Sequence, residues 1–120
     1  MKSRIMIKGI GIDIEDIGRF RNLDKSSFVD KIFTDNEKNY CLKKSDPAAS
    51  FWGKFCAKEA ILKAIGLNLD MKDIEIKNNL EGKPEVWIKN NIREDIFISI
   101  THNKDSAAAV AIYTPWLNIQ

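Results

Sequence analysis

Apolar residues alternate with small or polar ones near the N-terminus, cluster in the middle, and alternate again towards the C-terminus of the 120-residue chain. "RIMIKGIGIDI" reads as a strand in which Ile10, Ile12 and Ile14 share one parity and are expected to face the core. The other parity carries Gly9, Gly11 and Asp13, so Asp13 follows two glycines on a face free of side chains. Glycine at alternate strand positions marks a bulge or a close approach by a backbone or ligand. A crowded sheet face is the alternative, and these residues alone leave both open.

"EDIGRFRNLDKSSFVDKIF" reads as helical, with Glu15 and Asp16 at the positive end of its dipole. "TDNEKNYCLKK" opens a second helix on a capping box of Thr34 and Glu37. "SDPAAS" is a turn, where Ser45 or Asp46 caps and Pro47 fixes the bend. "FWGKFCAKEAILKAIG", residues 51–66, is a third helix that ends at Gly66 as a left-handed cap. Then "DIEIKNN" and "PEVWIK" flank "LEGK" as a hairpin, and "DIFISIT" and "SAAAVAIYT" are further strands. Alanines in the last would let a helix pack close. A strand, three helices and then strands predict a single α+β domain over residues 1–120, with helices on one face of a small antiparallel sheet.

The central helix poses the chemical question. On a wheel of about 100° per residue, Glu59 falls between Phe55 and Trp52, with Lys63 beside it. Lys54 and Lys58 fall on the opposite flank. A carboxylate among aromatic side chains wants a metal, a ligand or a buried partner. Asp13 is the natural second carboxylate. Mg²⁺ typically takes one or two protein carboxylates and fills its other positions with water and phosphate oxygens. Lys54, Lys58 and Lys63 around such an ion would complete a polyphosphate site.

Composition narrows the classes. With 19 basic and 17 acidic residues the net charge is +2, too mild to mark a nucleic-acid binder. Such a module would also need aromatics exposed on a sheet face rather than gathered in the helix. Cys41 and Cys56 form no CxxC pair, and with 1 histidine no zinc-site spacing exists. Both cysteines are expected reduced, in a cytoplasmic protein. No stretch reaches the ~20 apolar residues of a membrane span. Lys8 breaks the N-terminal apolar run, so no secretory signal is expected.

"GIGIDIEDIGRF", "FCAKEAILKAIG", "DIEIKNNLEGKPEV" and "ISITHNKDSAAAVAI" stand in the order and spacing of the holo-acyl-carrier-protein synthases, the small bacterial 4′-phosphopantetheinyl transferases. The resemblance covers nearly the whole chain. It implies the 4′-phosphopantetheinyl transferase fold and Mg²⁺-dependent transfer of phosphopantetheine from coenzyme A to a serine of acyl carrier protein, in fatty acid biosynthesis. Adenosine 3′,5′-bisphosphate is the released product. It also implies Asp13 and Glu59 as metal ligands, Lys63 near the pyrophosphate, and coenzyme A contacts by Lys54, Lys58 and His102. Lys54 stands where relatives often carry arginine, and "IGLNLD" replaces a glycine-rich turn. Arg19 aligns with the arginine that ends the first motif, and Arg21, Lys25 and Lys31 join it as a carrier-docking surface. A homotrimer with active sites between subunits is implied as well. Two rival readings are a Mg²⁺-dependent coenzyme A pyrophosphatase and a non-catalytic carrier- or nucleic-acid-binding module.

Overall fold

The computed structural model describes residues 6–21 and 25–115, the side chains of Lys25 and Ser26 excepted. Strand β1 (Gly9–Asp16) leads into helices α1 (Ile17–Arg21), α2 (Lys25–Ile32), α3 (Asp35–Leu42) and α4 (Pro47–Ile65). A 3₁₀ turn (Met71–Asp73) precedes β2 (Ile74–Asn78), β3 (Pro84–Ile88), β4 (Asn91–Ile92), β5 (Ile96–His102) and β6 (Ser106–Tyr113). The strands form two three-stranded antiparallel sheets, ordered β1-β6-β5 and β2-β3-β4, where a single sheet was expected.

Local chemistry explains the helix boundaries around the centre of the chain. Thr34 and Glu37 exchange the expected capping-box bonds at α3. Asp46 caps α4 and Pro47 opens it, so the expected turn at 45–50 is already the helix start. Gly66 closes it at φ 70°. The helix expected over 15–33 is divided instead: Glu15 and Asp16 pair with Ala107 and Ser106 in the sheet. The Asp16 carboxylate then accepts from the Gly18 N–H at 2.8 Å and turns the chain into α1.

The parity expected for β1 is reversed. Ile10, Ile12 and Ile14 are 63%, 67% and 70% exposed, while Gly9, Gly11 and Asp13 face α4. The glycines are there for the helix backbone. A Cβ on Gly9 would lie 1.8 Å from the Ala64 carbonyl oxygen, and one on Gly11 would lie 1.9 Å from that of Ala60. Across the sheet, Ala107, Ala109 and Ala111 of β6 are buried on the same inner face. Small residues on both strands thus let α4 lie flat on the sheet. Behind it, Phe20, Phe28, Phe51, Trp52 and Phe55 form one aromatic cluster with neighbouring ring centroids 4.6–5.8 Å apart.

Candidate active site

Because α4 approaches β1 through Gly9 and Gly11, the next residue on that face, Asp13, meets the helix turn that carries Glu59 and Lys63. Lys63 Nζ donates to the Ile12 carbonyl at 2.9 Å and lies 3.6 Å from Asp13 Oδ1. The other oxygen, Asp13 Oδ2, is buried without a hydrogen-bond partner. Burial first, and then the Asp13 charge, push Glu59 above the usual carboxylate range, while Lys63 pulls it down. Glu15, two residues along the same strand face, is raised by burial and by Asp13 as well. Its distal charge partner, Arg19, is 3.8 Å away.

These observations fit a bound cation. An orphaned buried oxygen on Asp13 and a second carboxylate, Glu59, whose ionisation burial and Asp13 oppose are what a hard divalent ion relieves. No group of three or more His, Cys, Asp or Glu among the described residues makes a metal cage. Two protein carboxylates with open positions for phosphate suit Mg²⁺. Glu15 was overlooked in the sequence, although its period-two spacing from Asp13 was the available signal.

The other flank of α4 builds a different feature. Gly53 lies against β5, where an added Cβ would meet Ile100 at 3.0 Å and His102 at 3.9 Å. Beside it is a cavity of about 300 Å³ lined by residues that include Tyr40, Ser50, Lys54, Asn78 and His102. Lys54 is buried here, donating to the Ile76 carbonyl at 2.9 Å and to Asn78 Oδ1 at 2.8 Å. Burial lowers its pKa. The structure therefore brings Lys54 and His102 together, and brings Asp13, Glu59 and Lys63 together. Within one chain it does not join the two groups, since none of the three lines this cavity.

Lys58 requires a correction. It is fully buried, and its ammonium is enclosed by Glu37 Oε1 at 2.7 Å and the carbonyls of Ile32 at 2.7 Å and Met71 at 3.0 Å. With three partners it has no donor left for coenzyme A. The basic N-terminal residues also separate. Arg19 is exposed, whereas Arg21 holds Asp46 through bonds of 3.2 and 2.9 Å. Lys31 is exposed, and the side chain of Lys25 lies outside the described residues. Cys56 is a core residue as expected, with burial pushing its thiol up to about 12.

Residues 9–112 match the model of the 4′-phosphopantetheinyl transferase superfamily. The chain belongs to that superfamily. It is 43% identical to a holo-[acyl-carrier-protein] synthase of Alkaliphilus metalliredigens, over 91% of this chain and 100% of that one. A synthase of the same name from Chlorobaculum parvum is 42% identical, over 88% and 97%. A crystal structure of the Bacillus anthracis synthase, in complex with CoA (3′,5′-ADP), superposes with a TM-score of 0.78. That match is at 32% identity and covers 92% of this chain and 98% of the other. The Helicobacter pylori synthase in complex with coenzyme A matches at a TM-score of 0.74 and 27% identity, over 87% and 98%. The transferase fold expected from the sequence is thus the fold found.

Proposed function

We propose that this chain transfers 4′-phosphopantetheine from coenzyme A to a serine of apo-acyl carrier protein, releasing adenosine 3′,5′-bisphosphate. The observation that carries this reading is the convergence of Asp13, Glu59 and Lys63 in a member of the transferase superfamily. In the reaction the serine oxygen bonds to the phosphorus that bears pantetheine, and the bond from that phosphorus to the bisphosphate leaving group breaks. Asp13 and Glu59 would hold Mg²⁺, which when bound supplies Lewis-acid polarisation of the pyrophosphate. Lys63, anchored to the Ile12 carbonyl, keeps a positive charge at the edge of the carboxylates, where negative charge grows on the leaving phosphate. Lys54 and His102 offer donors in their cavity to the nucleotide phosphates.

The reading includes a homotrimer with the site shared between subunits. Two features support it. The acidic group and the Lys54–His102 cavity lie on different flanks of α4, so a neighbour's cavity can complete the acidic half-site. The outer face of the first sheet is also apolar, with Ile10 beside Ile112 and Ile12 beside Val110, and Phe97 on the far side of Ile112. Ile10, Ile12, Ile14 and Phe97 are all exposed in the single chain, a patch that suits burial against a second copy. No helix among the described residues is long and apolar enough to cross a membrane, and we place the enzyme in the cytoplasm.

The test is mass spectrometry of apo carrier protein after incubation with this protein, coenzyme A and Mg²⁺. A gain of one phosphopantetheine on the carrier is expected. Nucleotide release without carrier would instead identify a pyrophosphatase.

A further inference from the structure

Helix α2 ends against three lysines from three other elements. Lys58 of α4 donates to the carbonyl of Ile32, the last residue of α2, at 2.7 Å. Lys72 of the 3₁₀ turn donates to the Asp30 carbonyl at 2.9 Å, and Lys38 of α3 to the Asp30 carboxylate at 2.9 Å. The carbonyls at a helix C-terminus lack intrahelical donors and carry the negative end of the dipole, so ammonium groups suit them.

Of the three, Lys58 is the buried one, and its partner Glu37 is buried with it. Glu37 Oε1 also accepts from the Thr34 N–H at 3.0 Å, and Oε2 accepts from the Ile76 N–H at 2.7 Å. Burial lowers the Lys58 pKa and Glu37 raises it again. A buried ion pair is weak as a source of stability, because desolvation offsets most of the attraction. It does fix geometry. This one junction ties α2, α3, α4, the 3₁₀ turn and β2 at a single point, one residue from Glu59.

We propose that the Lys58–Glu37 pair is a positioning device that holds α2 in register with α4. The basic surface on α1 and α2 then stands at a fixed place beside Asp13 and Glu59. Neither residue touches a substrate. The inference rests on the reading of Arg19 and Lys31 as a docking surface for an acidic carrier protein.

Glu37→Gln keeps the shape and removes the countercharge. In the full-length protein, hydrogen–deuterium exchange at amides 29–33 is expected to quicken about tenfold, with amides 56–64 changing less than about twofold. The KM for carrier protein should rise about fivefold or more while the KM for coenzyme A stays within about twofold. Lys72→Ala removes only the outer contact to Asp30. It is the outer control and should leave both KM values within about twofold. Should Glu37→Gln fail to fold, Glu37→Asp, which keeps the charge but shortens its reach to Lys58, takes its place, with carrier KM expected up about threefold or more and coenzyme A KM within about twofold. Unchanged exchange at 29–33 overturns the positioning role and leaves the docking reading standing. Faster exchange with an unmoved carrier KM overturns the docking reading and the proposal with it. Equal rises in both KM values would show a general loss of structure and also overturn it.

Discussion

Lys63 reaches from α4 to β1 and holds the Ile12 carbonyl at 2.9 Å, which leaves its ammonium 3.6 Å from the Asp13 carboxylate. At that distance the ammonium pairs with the carboxylate by charge but does not hydrogen-bond it, and Asp13 Oδ2 has no hydrogen-bond partner. With the Glu59 carboxylate close enough to feel its charge, Asp13 sits in a site short of positive charge. Asp13→Ala and Glu59→Gln should each slow turnover by about a hundredfold or more, the cost of removing a transition-state electrostatic contact. Mn²⁺ titration followed by electron paramagnetic resonance should show the same variants losing one bound ion. A variant that keeps the ion and near-normal turnover at limiting Mg²⁺ would contradict the assignment.

The electrostatic conflict also has a sign in stability. Burial and Asp13 raise the pKa of Glu59 in the folded state above its unfolded value. Between those two values the folded protein binds more protons than the unfolded, so stability falls as pH rises through that window. In chelator, melting temperature should therefore drop as pH climbs from the ordinary carboxylate range towards neutrality. Glu59→Gln should flatten the drop, and Mg²⁺ should raise the wild-type melting temperature at neutral pH. A metal-free protein that is equally stable across the window, with or without Glu59, would refute the strain.

The sequence brought out the candidate residues more readily than their geometry. Asp13, Glu59 and Lys63 stood out because strand parity and helix spacing are local properties, and caps at Thr34, Asp46 and Gly66 follow from adjacent residues. The core face of β1 was misread because isoleucines were expected to point inward. Only the packing of Ala60 and Ala64 against Gly9 and Gly11 decides that they point out. Lys58 was misread for a similar reason. Its partner Glu37 lies in another helix, and no spacing within α4 reveals it. The division into two sheets depends on which strand edges meet, which is a long-range property.

Gly11 gives the cleanest probe of that packing. The Cβ of Gly11→Ala would lie 1.9 Å from the Ala60 carbonyl oxygen, so helix and strand must part. Overpacking of this kind costs about 1–3 kcal/mol or more. Chemical denaturation should report that loss, and any folded remainder should bind Mg²⁺ less tightly because Asp13 and Glu59 have separated. Wild-type stability in this variant would mean that α4 does not lie on β1 as described.

The exposed isoleucines make a prediction about assembly. Light scattering of the wild type at micromolar concentration should give about three times the chain mass of 13.7 kDa. Ile12→Asp places a charge in the middle of the exposed isoleucine row that β1 presents on the outer sheet face, where burial against another copy would be costly. It should yield monomers that fold, as shown by circular dichroism, but turn over at least about tenfold more slowly, because the proposed shared site would lack its neighbour. A fully active Ile12→Asp monomer would rule out a shared site.

Arg19 is free for docking where Arg21 is not. Its guanidinium is only 3.8 Å-paired with Glu15 and its side chain is 73% exposed, whereas Arg21 is committed to Asp46. Arg19 pairs with Glu15, the residue two positions from Asp13 on the same strand face, which puts its charge on the side of the acidic group. Complementary charge across a docking interface mainly speeds association and fades as salt screens it. Arg19→Glu should therefore raise the KM for an acidic carrier protein by about tenfold at low ionic strength and leave the KM for coenzyme A unchanged. The salt dependence of kcat/KM should flatten at the same time, because the attraction that salt screens is gone. Arg21→Glu should behave differently: it breaks the bond to the α4 cap, so melting temperature should fall along with activity. Should Arg19→Glu weaken both substrates alike, Arg19 serves the nucleotide or the fold, and the carrier must approach over another surface.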